Sequence, residues 1–415
     1  AARLAVSERH LHRLLVAEVG ASPQQLGRTR RAHTARTLIE QTTMPLSDIA
    51  FAAGFGSIRQ FNEVMAGEFG VAPRTLRRPA VTPPEPGDGR EGSGAPTLTL
   101  RLAYRGPLAA TALHRTLTAH AIDGVERVEG TRHLRVIDAS HGPALVSFDL
   151  AESLDDAGGS GASSAATCHL PVTITLTSLA ELMPVVGRVR RLLDLDADPH
   201  LIAHHLDADR ILGPLVRARP GLRVPGAIEG AELAVCAVLG QQVSLAVART
   251  FQSRIAATFG QVVSGVGVAG AGPGDPVLRT FPRPEVLAEA GPQAIRDAAN
   301  LTQARAAAAH GLAVALASEA EPLTLTPGAD LASTRARLLA LQGIGPWTAD
   351  YIALRALRDP DAFMPSDLVL RKAVAKATGQ DLKAVTPAIA ESLSQPWRPW
   401  RAYALQHLWT QEVYS

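Results

Sequence analysis

The order of apolar and polar positions divides the chain into four stretches. Residues 1–79 carry a helical pattern that repeats. "SERHLHRLLVAEVGASPQQL" from Ser7 aligns with "SIRQFNEVMAGEFGVAPRTL" from Ser57, pairing Arg9 with Arg59, Leu11 with Phe61, Glu18 with Glu68, Gly20 with Gly70 and Pro23 with Pro73. Each copy reads as a helix-turn-helix. In the second, "PLSDIAFAAGF" predicts a short helix ending at Gly54, and Ser57 predicts the cap of the next helix, whose apolar side is Ile58, Phe61, Val64 and Met65. Its outer side offers Arg59, Gln60 and Asn62, and the matching helix of the first copy offers Arg9 and Arg13; such donors suit base edges and phosphates. The opening "AARLAVSERH" starts part-way through a helical pattern, so further residues are expected upstream.

Residues 80–96 are rich in Pro and Gly, show no apolar period and read as a linker. In 97–177, "TLTLRLAYRG" alternates like a strand, "LAATALHRTLTAHA" is helical, and "RHLRVIDA", "ALVSFDL" and "HLPVTITL" are three more strands, giving a small β-α-β-β-β unit. Residues 178–415 are helical apart from "SGVGVAGAGPGDP", which reads as a surface insertion. The expected fold is mainly α.

At 415 residues and 46% hydrophobic, the chain exceeds one ordinary core. Net charge is only +2, but residues 1–79 hold 11 Arg, no Lys and 6 acids, a local +5 that favours DNA as partner. The two cysteines, Cys168 and Cys236, are too few for a disulfide framework, a four-cysteine zinc site or an iron–sulfur cluster. Without a long apolar run or a signal-like start, neither membrane nor export is expected, and the placement is cytoplasmic and nucleoid-associated. His200 and His204 have the i, i+4 spacing of a metal pair but no third ligand nearby, so they read as a solvated helix face and no metal is expected. Cys236, within "LAVCAVLG", reads as a buried, unreactive thiol.

Candidate chemistry begins at "LQGIGPWTAD". Helical patterns flank it, so Gly343 and Gly345 are the turn, both free to take positive φ, with Ile344 dropping between the helices. The start of the second helix, with Thr348 in its first turn, would present unpaired N–H groups to a phosphate. Downstream, "DAFMPSDLVLRKAVA" places Asp367 in the first turn of a helix, where the helix dipole favours a negative charge. Such an aspartate is commonly only a cap. A phosphate-holding hairpin beside an inward carboxylate instead describes a protein that grips DNA and acts on one nucleotide.

The doubled helix-turn-helix resembles the AraC-type DNA-binding domain, and within it the regulatory part of Ada-type alkylation-response proteins. Their cysteine-rich methyl-accepting zinc domain would lie upstream and is not in this chain. "LQGIGPWTADYIALRAL" with "DAFMPSD" resembles the helix-hairpin-helix motif and Gly-Pro-Asp loop of a DNA glycosylase superfamily. "LAVCAVLGQQVSLAVART" and "QPWRPWRAYALQHLW" narrow this to AlkA-type DNA-3-methyladenine glycosylase II over residues 97–412.

The resemblance implies that Asp367 is the catalytic aspartate, stabilising an oxocarbenium-like sugar, and that Trp347, Tyr351 and Trp409 stack on a flipped cationic base. It also implies that Gly343, Ile344, Gly345 and Thr348 hold DNA backbone, and that Gln241 and Gln242 fill the gap left in the duplex. Three positions depart from the family pattern. The hairpin Pro is Gln342, expected to loosen the turn slightly; an Asp pair of some relatives is Ser366-Asp367; and the apolar wedge is the polar Gln242. Lyase members place a lysine where this chain has Trp347, and the only lysines are Lys372, Lys376 and Lys383, so a monofunctional enzyme is expected. No cofactor is required, with room for a monovalent cation at the hairpin. The expected partners are double-stranded DNA with alkylated bases such as 3-methyladenine and 7-methylguanine, promoter DNA, and RNA polymerase; the chain is expected to be a monomer. The competing reading is a transcriptional regulator whose glycosylase half only senses lesions.

Overall fold

The computed structural model describes residues 7–42, 44–77, 95–151, 167–263 and 277–413. The greater part of the linker and the whole of the 264–276 insertion lie outside these residues. The first unit consists of α1 (Glu8–Val19), α2 (Pro23–Gln41), α3 (Leu46–Ala52), α4 (Ile58–Phe69) and α5 (Pro73–Leu76). The repeat in the sequence is a repeat of caps. Ser7 and Ser57 accept the backbone N–H groups of His10 and Gln60, and Gly20 and Gly70 close their helices at φ 71° and 69°, a conformation that suits glycine. Phe61, Val64 and Met65 are buried as the pattern predicts, but Ile58 is 45% exposed: at the first position of α4 it lies past the edge of the core. Helix α3 ends at Ala52, earlier than expected, and Gly54 follows at φ 82°.

The next unit contains β1 (Thr97–Arg105), α6 (Ala110–His120), β2 (Glu126–Glu129), β3 (Arg132–Ala139), β4 (Gly142–Asp149) and β5 (Thr167–Thr175). The strands form an antiparallel sheet in the order β1-β5-β4-β3-β2. Alternation along β1 and β5 places Leu100 opposite Val172 and Leu102 opposite Leu170, all four buried. Strand β2, "ERVE", was not predicted; four mostly polar residues at a sheet edge carry no readable alternation. Helix α7 (Leu182–Leu192) buries Leu182, Val185, Val186 and Val189 in the same apolar cluster as Leu100 and Leu170. Its periodicity marks a buried face without saying which core receives it.

The remaining helices are α8 (Pro199–Leu206), α9 (Leu212–Ala218), α10 (Gly230–Leu239), α11 (Leu245–Phe259), α12 (Pro284–Ala299), α13 (Gln303–Ala317), α14 (Leu331–Leu339), α15 (Pro346–Ile352), α16 (Leu368–Thr378), α17 (Pro387–Leu393) and α18 (Arg401–Val413). They share a second core that includes Val238, Leu312, Ile352, Val374 and Leu408. Asp194, just after α7 and fully buried, fastens this body to the sheet unit: it accepts from Tyr403 Oη of α18 at 2.8 Å and from Val224 N at 3.2 Å, and pairs with Arg358. Removing Arg358 would leave the buried carboxylate without its ion-pair partner. Among the described residues no helix is long and apolar enough to cross a membrane.

Candidate active site

The predicted hairpin lies between α14 and α15. Gly343 takes φ 84°, and a Cβ there would stand 2.6 Å from the Cβ of Ala308 on α13, so both conformation and space require glycine. Gly345 differs. At φ −94° and ψ 175° it is the extended N-cap of α15, and a Cβ would meet nothing within 4 Å. Both were free to take positive φ and only Gly343 does: one left-handed residue reverses the chain and the other is ordinary strand-like backbone. Ile344 is buried in the helical core as expected. Its N–H reaches Leu341 O at 3.2 Å, so the turn remains closed with Gln342 at the family's Pro position. No side chain caps α15, and Gly343, Gly345 and Pro346 are exposed at its tip.

Gln241 and Gln242 follow α10 and separate in role. The Gln241 amide donates to Gly343 O at 2.9 Å and lies 3.0 Å from Thr348 Oγ1, while Arg305 holds the Gln241 carbonyl at 2.6 Å. Gln241 thus braces the hairpin, with both donors of its NH2 group engaged. Gln242 is exposed at φ 55° on the tip of that braced loop. Thr348, 3% exposed, faces Gln241 rather than solvent.

Asp367 is the N-cap of α16, one position before the first turn where it was expected, and is 8% exposed. Oδ1 accepts from Leu370 N at 2.8 Å and from Trp409 Nε1 at 2.9 Å; Oδ2 accepts from Trp347 Nε1 at 2.9 Å. A carboxylate oxygen has two lone-pair directions, so Oδ1 is saturated and Oδ2 keeps one open. The cap and the candidate catalytic group are one residue, and the two indoles hold it in place. Trp347 and Tyr351, one helical turn apart, stack at 5.2 Å with 7° between planes, and Trp409 tilts against Tyr351 at 6.4 Å. Trp347 and Tyr351 therefore form a single laminated wall and cannot both offer the faces they share.

These four side chains stand at a cavity of about 370 Å³ that continues to the sheet unit. Sequence reasoning missed its far end: His120 from α6, Glu126 and Arg135 from β2 and β3, Glu232 from α10, and Arg355. Arg135 pairs with both Glu126 and Glu232. Burial pushes the Glu126 carboxyl up, with Arg135 pulling it back. Burial, reinforced by nearby Arg355, pushes His120 down to about 4, so it is neutral at pH 7. Cys236 is half-buried at the cavity, and desolvation raises its thiol well above the usual range, consistent with an unreactive group. Trp397 is buried away from the cavity lining and donates to Asp209 Oδ2 at 2.9 Å, and Trp400 packs edge-on against Tyr403. His200 and His204 are both exposed, and among the described residues no three His, Cys, Asp or Glu side chains gather as a metal site.

On the first unit, Arg9, Arg13, Arg59, Gln60 and Asn62 are all exposed. Arg59 pairs with Glu63 at 2.9 Å, and the Gln60 carbonyl accepts Gly56 N–H at 3.0 Å, leaving its amide protons outward.

Three family models match: the AlkA N-terminal domain over residues 99–229, a helix-turn-helix domain over 1–79, and the HhH-GPD superfamily of base excision DNA repair proteins over 235–399. The chain is 40% identical to a probable bifunctional transcriptional activator/DNA repair enzyme AlkA of Mycobacterium tuberculosis, over 99% of this chain and 75% of that protein. It is 35% identical to DNA-3-methyladenine glycosylase 2 of Escherichia coli, over 59% of this chain and 77% of that protein. In fold it is similar to a 3-methyladenine DNA-glycosylase from Archaeoglobus fulgidus, at TM-score 0.60 and 18% identity, over 75% of this chain and 98% of that one.

Proposed function

The chain belongs to the AlkA family of DNA-3-methyladenine glycosylases, with an AraC-type helix-turn-helix unit ahead of the repair domains, and we propose that it excises alkylated bases from duplex DNA as a monofunctional glycosylase. The observation that carries this is the Asp367 carboxylate, fixed by two indole N–H groups with one lone pair open, lining a cavity walled by Trp347, Tyr351 and Trp409. A base in a duplex must leave the stack to be reached, at a cost of a few kcal/mol that a lesion lowers. Methylation at N3 or N7 makes the purine cationic and weakens its glycosidic bond. Asp367 then faces the sugar as positive charge develops, without having to reorganise, and its open lone pair can orient the attacking water. The exposed hairpin tip grips the backbone, and Gln242, carried on the loop that Gln241 ties to that hairpin, enters the gap in the duplex.

None of the three lysines lines the cavity, and all are exposed. No lysine amine is therefore placed to attack the sugar carbon, which supports release of the base with the strand left intact. No cofactor enters this reading; a monovalent cation at the hairpin would have to share the Gly343 carbonyl with the Gln241 amide, and no step depends on it. The exposed donors of the first unit support operator binding, with recruitment of RNA polymerase as the regulatory output, by a monomer acting in the cytoplasm on nucleoid DNA. The test is incubation with duplex DNA containing 3-methyladenine or 7-methylguanine: free base and an abasic strand are expected. Tight binding with no base released would establish a lesion sensor instead.

A further inference from the structure

Arg355 is a part of the cavity to which base excision gives no task. It is 5% exposed, lines the cavity, and its Nε–H has no hydrogen-bond partner. Its guanidinium carbon lies 5.7 Å from the Tyr351 ring centroid, a cation–π contact, and its charge helps push His120 down. A buried guanidinium ordinarily rests against a carboxylate or carbonyl, since it presents five donors and cannot shed its charge. Of the carboxylates on the same cavity, Glu126 and Glu232 are taken by Arg135, Glu229 pairs with Arg188 at 3.3 Å, and Asp367 is held by the two indoles.

The backbone aims this side chain. Trp347, Tyr351 and Arg355 recur every four residues. In a straight α-helix the third would rotate about 80° off the line of the first. Here the chain passes into a π turn over Ala353–Leu357, which winds less per residue and returns Arg355 to the cavity face. Asp367 is bonded to Trp347 at the opposite end of this stripe, about 12 Å along the helix from Arg355. A nucleoside with its sugar at Asp367 and its base along the Trp347–Tyr351 wall points its far edge at the unused donors.

We propose that Arg355 is a specificity residue that donates to the O6 acceptor of a flipped 6-oxo purine, and so favours guanine- and hypoxanthine-type bases over 6-amino purines. The pairing of arginine with O6 follows from donor and acceptor geometry. A 6-amino purine turns its own donor toward the guanidinium, and that bond is not made. This inference rests on the glycosylase reading and specifies which base edge its pocket reads.

The experiment compares single-turnover base release by wild type, Arg355→Met and Arg355→Lys from three duplexes, containing deoxyinosine, 7-methylguanine or 3-methyladenine. In Arg355→Met the first two rates should fall roughly ten- to hundredfold relative to the third, the effect of one charge-assisted hydrogen bond. Arg355→Lys, which keeps a donor without the planar fork, should give an intermediate ratio. Because the ratio is taken within one variant, partial misfolding cancels. If Arg355→Met does not fold, an unchanged ratio in Arg355→Lys overturns the proposal. Equal losses on all three substrates, or no loss, also overturn it. A wild type that releases none of the three bases refutes the glycosylase reading itself.

Discussion

Replacing Asp367 by Asn separates the charge of that side chain from its shape. The amide oxygen can keep the Oδ1 position, accepting from Leu370 N and Trp409 Nε1, so the cap on α16 survives; Asn caps about as well as Asp. The NH2 then faces Trp347 Nε1–H, donor against donor. That lost bond should lower stability by only about 1 kcal/mol, at the low end of the usual range, because Trp347 is half-buried and water can reach it. The chemical step loses far more. A unit positive charge about 4 Å from a carboxylate, at an effective dielectric of about 20, is stabilised by about 4 kcal/mol, which corresponds to roughly three decades in rate. Single-turnover release of 7-methylguanine from duplex DNA should therefore fall about a thousandfold, while affinity for an abasic-site analogue and the melting temperature change little. Release within about tenfold of wild type would show that the Asp367 charge does not carry the chemistry.

Gly343→Ala, which meets both a left-handed φ and the Ala308 methyl, should destabilise by about 2–4 kcal/mol, whereas Gly345→Ala should be near neutral for stability; denaturant midpoints of the two decide between one required glycine and two. Borohydride added during turnover should trap no covalent protein–DNA adduct, and an adduct at appreciable yield would mean that an amine reaches the sugar. His407 is 3% exposed, with Nδ1 unpartnered, and burial pushes it down to about 3, with Arg219 adding to the effect. Between about pH 6.5 and 3 the unfolded chain binds a proton at this residue that the folded chain refuses, so stability falls as pH is lowered through that window. From pH 7 to 5 the contribution is about 2 kcal/mol, and His407→Gln should flatten the pH dependence of the unfolding midpoint by that amount.

What could be read in the sequence was what is local. Ser7, Ser57, Gly20 and Gly70 cap helices through bonds to residues three or four positions away, so the doubled unit was visible as a repeat. Asp367 was visible because a cap, too, is local, and the family resemblance then gave it a role. The distinction between Gly343 and Gly345 was hidden because it depends on Ala308, on another helix. The Gln241 brace was hidden for the same reason: its bond to Gly343 spans 102 residues. The far end of the cavity draws His120, Glu126 and Arg135 from the sheet unit, and no spacing in the chain announces that the two bodies meet there. Arg355 alone left a trace, four residues beyond Tyr351, as Tyr351 is beyond Trp347.

The Gln241 brace also has a mechanical consequence. Its amide holds the hairpin, Arg305 holds its carbonyl, and Gln242 projects from the same loop, so the tip and the grip form the two jaws of a caliper with a fixed opening. A fixed caliper cannot adapt to the duplex, so the strain of opening the strand falls on the DNA. Excision should then run faster at lesions flanked by easily kinked pyrimidine–purine steps than in stiff A-tracts, a preference set by the compliance of the substrate without any contact to the neighbouring bases.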